Sequence, residues 1–191
     1  MPVRTPLLAV VSGPPATGKT TLAREFARHL GCPAIIRDEI KQGLAMNRPG
    51  HDPDGSDPLN IPAMAAFFAT ITVLLRAGST VVAEAAFQDR LWRPGLEPLT
   101  TFADLRIIRC TAPAPTIAWR ITDRARTDSH RAAHGDKVLL ADMEAGVYDP
   151  DQFVPISLDA PNLLVDTSDG YAPGMEIQRF LLQPEHEEGA S

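Results

Sequence analysis

One octapeptide near the amino terminus constrains this chain more than any other feature. Residues Gly13–Thr20 have the sequence Gly-Pro-Pro-Ala-Thr-Gly-Lys-Thr, which fits the pattern G-x-x-x-x-G-K-[ST] at every fixed position. A continuous apolar run, Leu7–Val11, precedes it, and an amphipathic stretch, Thr21–Leu30, follows it. A buried strand, a glycine-rich turn and a helix in that order predict a phosphate-binding loop.

Each residue type in the octapeptide has a chemical reason. Gly13 and Gly18 let the backbone turn and approach oxygen atoms without a Cβ clash, so successive N–H groups can point into one hollow. Lys19 supplies a positive charge to the β- and γ-phosphates of ATP, and the Thr20 hydroxyl can ligate Mg²⁺. The predicted ATP-binding set is the whole loop and the hydroxyl after it: Gly13, Pro14, Pro15, Ala16, Thr17, Gly18, Lys19, Thr20 and Thr21.

Apolar strands alternate with helical segments along the rest of the chain. This alternation predicts an α/β fold, a parallel sheet with helices on both faces. We expect a single domain over residues 1–183 and a disordered acidic tail over 184–191. The further predicted strands are Ala34–Ile36, Thr80–Ala83, Leu105–Cys110 and Leu163–Val165. One further predicted helix starts at Asp38, and another has Asn60 as its candidate N-cap and reaches Ala77; the rest lie near 88–100, 113–127, 135–146 and 171–182.

The charge and apolar pattern exclude some classes of function. The formal net charge of −6 argues against a general binder of nucleic acid or membrane surfaces. The Leu7–Val11 run is too short for a signal-peptide core, and Ile61–Leu75 is too short and too polar to span a membrane. We therefore expect a cytoplasmic protein with neither membrane nor nucleic-acid partners.

Two carboxylates follow predicted strands. Ligands of open α/β sheets bind beyond the carboxyl ends of the strands, so Asp38 should face the same crevice as Lys19. There it could accept the proton of a hydroxyl attacking the γ-phosphorus, or it could cap a helix beginning at Glu39. Glu84 could hold Mg²⁺ or orient the acceptor molecule, or it could be a partly buried acid paired with an arginine.

Other residues near these acids are candidates for contacting the acceptor. Lys41 and Arg90 could bind it or be solvated. Phe87 could also contact the acceptor, because apolar side chains in this part of the chain suggest a partly apolar acceptor. The same side chains could instead be core, and the rest of this set is Met46, Met64, Phe67 and Phe68.

A cluster of arginines lies in a predicted helix. Arg120 and Arg124 are four residues apart and share one helical face. A planar guanidinium can stabilise the charge that spreads over the phosphoryl oxygens during transfer. We predict that both arginines contact ATP from a lid over about residues 118–137 that closes on the nucleotide. The alternative is an exposed helix with internal ion pairs to Asp123 and Asp128.

Taken together, these motifs resemble those of the small P-loop kinases that include chloramphenicol phosphotransferase, the kinase domain of bacteriophage polynucleotide kinase and the zeta-toxin relatives. The resemblance runs over roughly residues 7–182. Besides the phosphate loop, three segments carry it: Arg37–Lys41, Trp119–Arg124 and Leu164–Ser168.

The resemblance implies a fold and roles for residues. It implies a five-stranded sheet of strand order 2-3-1-4-5, with Asp38 as the base that activates the acceptor. The residues that would border the adenine are Asp166, Thr167 and Ser168. Two positions depart from the family pattern, because Glu84 stands where many members have Asp and Lys41 where many have Arg.

The sequence therefore favours an ATP- and Mg²⁺-dependent kinase. The expected acceptor is a hydroxyl of a small molecule, such as an antibiotic or another metabolite. A kinase of nucleosides, nucleotides or nucleic-acid 5′ ends stays open as an alternative. So does a nucleotide-binding regulator or toxin-like protein without productive turnover.

Overall fold

Alternate side chains of the strand before the glycine-rich loop pack on opposite faces of a sheet. Leu8 and Val10 belong to one apolar cluster, and Ala9 and Val11 belong to another. All four side chains are fully enclosed. A strand that is buried on both faces must lie inside its sheet with helices above and below it, as the apolar run predicts.

The computed structural model describes residues 5–48, 57–127, 139, 141–143, 145–148, 153–168 and 175–182. Within these ranges five strands form one parallel sheet in the order β2-β3-β1-β4-β5. The fold class and the strand order are confirmed. The strands are β1 Leu7–Ser12, β2 Ala34–Ile36, β3 Val81–Glu84, β4 Asp104–Thr111 and β5 Asn162–Asp166.

Helices cover both faces of this sheet. One face packs against α3 and α4 through a core that includes Phe67, Ile71 and Trp92. The other packs against α1 and α6 through Phe26 and Leu181, among others. The helices are α1 Lys19–Leu30, α2 Arg37–Met46, α3 Asn60–Arg76, α4 Asp89–Leu96, α5 Ala114–Thr127 and α6 Met175–Leu182, and a 3₁₀ turn, Glu97–Thr101, follows α4.

Two predicted helix starts are wrong in detail. The N-cap of α2 is Ile36, so Asp38 lies inside the first turn and does not cap the helix. The N-cap of α3 is Leu59, so Asn60 is the first helical residue. In both places the helix begins one or more residues earlier than the suggested polar cap would allow.

Some predicted segments lie partly outside the described residues. The predicted helix at 135–146 is described as helical at 139 and 141–143 only. The predicted lid is described as far as Thr127, and the predicted tail at 184–191 falls wholly outside. In the described part of the chain, no helix combines the length and the apolar character needed to cross a membrane.

Candidate active site

The glycine-rich loop has the backbone conformation that its glycines predict. A Cβ atom on Gly13 would lie 2.2 Å from the carbonyl oxygen of Cys110, so only glycine fits between the loop and β4. Gly18 has a φ of 78°, and Ala16 has a φ of 61° although it is not glycine. Left-handed residues in such a turn direct neighbouring backbone N–H groups toward one side. The loop therefore has the features of an anion-binding nest.

Lys19 is held against this loop. Its side chain is buried, and its Nζ donates a hydrogen bond to the carbonyl of Pro14 at 2.6 Å. The Thr17 hydroxyl donates to the same carbonyl at 2.9 Å. The ammonium group is thus kept beside the loop by a neutral acceptor, a contact that a bound phosphate oxygen could replace with a stronger, charge-assisted one.

Glu84 and Thr20 meet at the carboxyl edge of the sheet. Glu84 pairs with Val11 of β1 and Ile36 of β2, which places it between the start of the loop and the start of α2. Its Oε2 accepts a hydrogen bond from the Thr20 hydroxyl at 2.9 Å. The carboxylate is 4% exposed. Among the residues that the structure describes, the partner of this carboxylate is Thr20 and not an arginine.

Burial raises the pKa of the Glu84 carboxyl above its ordinary value of 4.5. The positive charge of Lys19 opposes this rise in pKa, and the negative charge of Asp38 adds to it. The charges of Lys19 and Asp38 are thus close enough to influence Glu84, as the positions of their elements at the carboxyl edge predict. A hydroxyl and a carboxylate together form a hard oxygen pair suited to Mg²⁺.

Asp38 lies in the first turn of α2, directly after β2. Its side chain is 45% exposed, and its Oδ1 accepts a hydrogen bond from Arg37 Nη1 at 3.1 Å. A second bond joins Arg37 Nη2 to the Asn60 side-chain oxygen at 2.6 Å, and the guanidinium lies 5.6 Å from the centre of the Phe87 ring. Arg37 therefore orients the Asp38 carboxylate while leaving it open to solvent.

Phe87 is part of an aromatic cluster under this arginine. Its ring packs edge-on against Phe67 and Trp92, with centroids 5.9 Å and 5.3 Å away. The side chain is 8% exposed. Most of this ring is thus used by the core, and Arg37 covers its outer side. The prediction that Phe87 contacts an acceptor stays a prediction.

Lys41 has a partner that the sequence analysis missed. Its ammonium forms a buried ion pair with Asp57. The other carboxylate oxygen of Asp57 accepts a hydrogen bond from the Leu59 amide at 2.8 Å, just before α3 begins. An acid shortly before a helix is a capping signal, but its pairing with α2 depends on tertiary contact. The alternative that Lys41 is a solvated surface residue is therefore wrong.

We expect Lys41→Met to destabilise the fold by about 3 kcal/mol, because it leaves the Asp57 carboxylate buried without its counter-charge. Urea unfolding followed by circular dichroism measures the loss. The double variant Lys41→Met/Asp57→Asn removes both charges and keeps the Asp57 side-chain oxygen, so it should recover most of the stability. If Lys41→Met were as stable as the wild type, burying the Asp57 carboxylate without Lys41 would not carry the expected cost in free energy of unfolding.

Arg120 contacts the loop from the side of β5. Its Nη1 donates to the Ala16 carbonyl at 3.4 Å and to the Thr167 hydroxyl at 3.2 Å, and its Nη2 donates to the Thr167 carbonyl. In the described structure its guanidinium thus contacts protein oxygens beside the phosphate loop. Arg124 lies one turn further along α5, and the structure does not describe its side chain.

The segment after β5 lies beside the same loop. Thr167 is fully buried, and the exposed Asp166 accepts hydrogen bonds from the backbone and hydroxyl of Ser168. These bonds lower the pKa of the Asp166 carboxyl. The structure thus brings this segment beside the phosphate loop through Thr167. The prediction that Asp166, Thr167 and Ser168 border adenine stays a prediction.

Several other candidates lie away from these contacts. Arg90 is exposed and donates to Gln88 at 2.9 Å, and Thr21 is exposed on α1. Met46 is 77% exposed at the end of α2. Phe67 belongs to the core, which is the alternative that the sequence left open for it.

Comparison with known proteins agrees with this geometry. A family profile described as AAA domain matches residues 8–149. An uncharacterized protein of Mycobacterium tuberculosis is 30% identical over 143 residues, which is 70% of this chain. The chain spans only 29% of the length of that relative.

Solved structures of similar fold include kinases. A proposed kinase from Chloroflexus aurantiacus has a TM-score of 0.77 and 26% identity, covering 94% of this chain and 100% of that one. A gluconokinase from Sinorhizobium meliloti has a TM-score of 0.55 and 17% identity, covering 93% and 91%.

A chain of the Pnkp1/Rnl/Hen1 RNA repair complex has a TM-score of 0.56 and 22% identity, covering 88% of this chain and 52% of that one. At this identity the likeness concerns the fold alone. The profile match spans most of the chain and includes the phosphate loop, α2 and β3. The chain therefore belongs to the AAA domain family and has a kinase-like P-loop fold.

Proposed function

We propose that this protein is an ATP-dependent kinase that transfers the γ-phosphoryl group to a hydroxyl of a small molecule. One observation carries the proposal. Lys19, the Thr20–Glu84 pair and Asp38 are brought by three different elements to one edge of the sheet. A phosphate-binding cation, a candidate magnesium pair and a half-exposed base are the groups that phosphoryl transfer to an alcohol requires.

The described residues fit the nucleotide and the metal. The loop has left-handed residues at Ala16 and Gly18, and the Lys19 ammonium is beside it. When bound, MgATP supplies the γ-phosphoryl group and neutralises part of its charge. Thr20 and Glu84 would hold the metal, directly or through water. No cluster of three or more His, Cys, Asp or Glu ligands occurs among the described residues, so phosphate oxygens and water would complete the shell.

Asp38 would take the proton of the acceptor hydroxyl. Arg37 orients the carboxylate by one hydrogen bond, and the exposed part of the side chain is available to the acceptor. Asp38 follows β2 and the phosphate loop follows β1, with Glu84 of β3 between them. Because all three lie at the carboxyl edge of the sheet, the hydroxyl could approach the γ-phosphorus between the base and the loop. Arg124 would add positive charge from α5.

The charges near the acceptor side favour a small, weakly charged molecule over a nucleic-acid end. Lys41 is paired with Asp57, and Arg37 with Asp38. Glu39, also on α2, is paired with Arg24 of α1. These cations are neutralised within the protein, whereas binding to nucleic-acid phosphates depends on cations that can contact them.

A screen of hydroxyl compounds tests the proposal. ADP release from MgATP is measured with a library of sugars, polyols and natural products, with oligonucleotides bearing 5′-hydroxyl ends as a comparison. We expect release to rise with one class of small alcohol and not with its deoxy analogue. A rise with oligonucleotides alone would support a nucleic-acid kinase, and no rise with any acceptor would support a regulator.

Glu84→Gln should raise the Mg²⁺ concentration needed for turnover about tenfold to 100-fold, because a neutral amide binds the metal weakly. The raised pKa adds a pH signature. The protonated carboxyl must ionise to bind the metal, so affinity should fall as pH falls through the raised pKa. The stability of the metal-free fold has the opposite trend: the contribution of Glu84 is present below pH 4.5 and is lost as pH rises.

Calorimetry in two buffers of different ionisation enthalpy measures the proton released when MgATP binds. The titrations are repeated over a series of pH values from 4.5 upward. Below the raised pKa, wild type should release a proton that Glu84→Gln does not release, and the difference should disappear above it. Glu97→Gln, an exposed acid far from the sheet edge, serves as the control. Equal proton release by wild type and Glu84→Gln at every pH of the series would exclude Glu84 from the metal site.

A further inference from the structure

Two side chains, one on α5 and one after β5, bond to backbone carbonyls of the phosphate loop. The Thr167 hydroxyl, in the segment after β5, lies 2.8 Å from the carbonyl oxygen of Thr17. Arg120 of α5 donates to the carbonyl oxygen of Ala16. Both acceptors are consecutive backbone carbonyls in the middle of the loop. The loop is thus tied at two adjacent peptides to elements that follow it by a hundred residues or more.

The Thr167 hydroxyl has a defined orientation. It lies 2.8 Å from the Thr17 carbonyl and 3.0 Å from the Thr111 carbonyl, and it has a single proton to donate. The Thr111 carbonyl already accepts the Thr167 N–H at 2.9 Å. We assign the proton to the shorter bond, to Thr17, and the hydroxyl oxygen then accepts from Arg120.

Apolar packing supports the contact between Arg120 of α5 and the loop. Ile117 and Ile121 of α5 form a small apolar cluster with Ala16, and both isoleucines are essentially fully buried. This contact holds α5 against the loop at the residue whose φ is 61°. A left-handed alanine carries a conformational cost of about 1 kcal/mol, so surrounding contacts must maintain it.

We infer that Thr167 and Arg120 are positioning residues that orient the phosphate-binding N–H groups of the loop. In a planar trans peptide the carbonyl and the next N–H point in opposite directions. Holding the Ala16 and Thr17 carbonyls toward β5 and α5 turns the N–H groups of Thr17 and Gly18 away from them. The opposite side of the loop faces β3, where Thr20 bonds Glu84 and where the proposed function places the phosphates.

This role differs from the adenine contact that the resemblance implies for Thr167 and from a merely structural role. A residue bordering adenine affects only ligands that contain the base, and a merely structural residue affects unfolding but not ligand affinity. A positioning residue for the nest affects every ligand that carries the phosphate chain. Substitutions at Thr167 can distinguish these roles, because its side chain is fully buried against the loop in the structure.

The test compares Thr167→Val, which removes the hydroxyl, with Thr167→Ser, which keeps it. Affinities for MgATP and for magnesium tripolyphosphate, which has no adenine, are measured by calorimetry. We expect Thr167→Val to weaken both ligands by the same factor of about fivefold, the effect of one net hydrogen bond. Thr167→Ser should bind both within about twofold of wild type.

Other outcomes overturn the inference. Weakening for MgATP alone would assign Thr167 to the adenine, and a lower melting temperature with unchanged affinities would make it structural. If Thr167→Val does not fold, Arg120→Lys is measured, since an ammonium cannot bridge both loop and threonine as the guanidinium does. Unchanged tripolyphosphate affinity in Arg120→Lys would equally contradict the inference.

The proposed function fails separately, by the absence of phosphoryl transfer from a wild-type protein that binds both ligands. In that case the positioning of the loop would still stand. A wild-type protein that binds neither ligand would overturn both the inference and the proposed function.

Discussion

Lys19→Ala is expected to lower ATP turnover at least about 1,000-fold, the range seen when a main charge-stabilising group is removed from phosphoryl transfer. The ammonium is buried beside the loop, so no other side chain on α1 can replace it. Its loss also removes the positive charge that lowers the pKa of Glu84. The Glu84 carboxylate, the proposed metal ligand, should therefore be protonated to a higher pH in this variant.

Steady-state ADP formation with the acceptor found by screening measures the effect. Arg28→Ala is the matched control, because Arg28 is a cation on the same helix but exposed in its last turn. The control should retain wild-type turnover. If Lys19→Ala kept turnover within tenfold of wild type, the loop would not be where the transferred phosphoryl group binds.

Asp38→Asn should keep ATP affinity within about twofold and lose phosphoryl transfer by about 1,000-fold, within the range for removal of a general base. The amide cannot take the proton of the acceptor hydroxyl. It can still accept the hydrogen bond from Arg37, so the first turn of α2 should stay intact. Single-turnover transfer measured at saturating ATP separates this chemical step from nucleotide binding.

Glu39→Gln provides a closely matched comparison. It makes the same change of charge one residue further along α2, but the Glu39 side chain is paired with Arg24 on α1. Glu39→Gln should transfer phosphate at close to the wild-type rate. Equal losses in the two variants would point to a general effect of negative charge on α2, and wild-type transfer by Asp38→Asn would remove Asp38 as the base.

Much of the fold followed from local sequence pattern. The apolar run at Leu7–Val11 and the glycine spacing of the loop predicted the central strand and the turn after it, and the structure has both. The strand order came from resemblance to P-loop kinases, because periodicity identifies strands but not their neighbours. The exact starts of α2 and α3 were predicted less well, since a single polar residue is a weak cap signal.

The positions of the candidate site residues could be predicted from the sequence, but the contacts that these residues make could not. Asp38 and Glu84 were expected at the carboxyl edge because each follows a strand, and the structure places them there. The roles assigned to them remain predictions. The pairing of Lys41 with Asp57 was missed, because fifteen intervening residues carry no periodic signal that would align the two side chains.

The amino-acid sequence by itself determined the phosphate loop, because glycine spacing and a lysine act through local backbone geometry and one charge. It also determined the parallel α/β architecture, because apolar runs alternating with amphipathic helices have few stable arrangements. Only the tertiary structure decided what Arg120 and Thr167 contact. Their partners, Ala16 and Thr17, are backbone carbonyls brought beside them by strand pairing and helix packing, and no side-chain pattern in the sequence specifies a carbonyl.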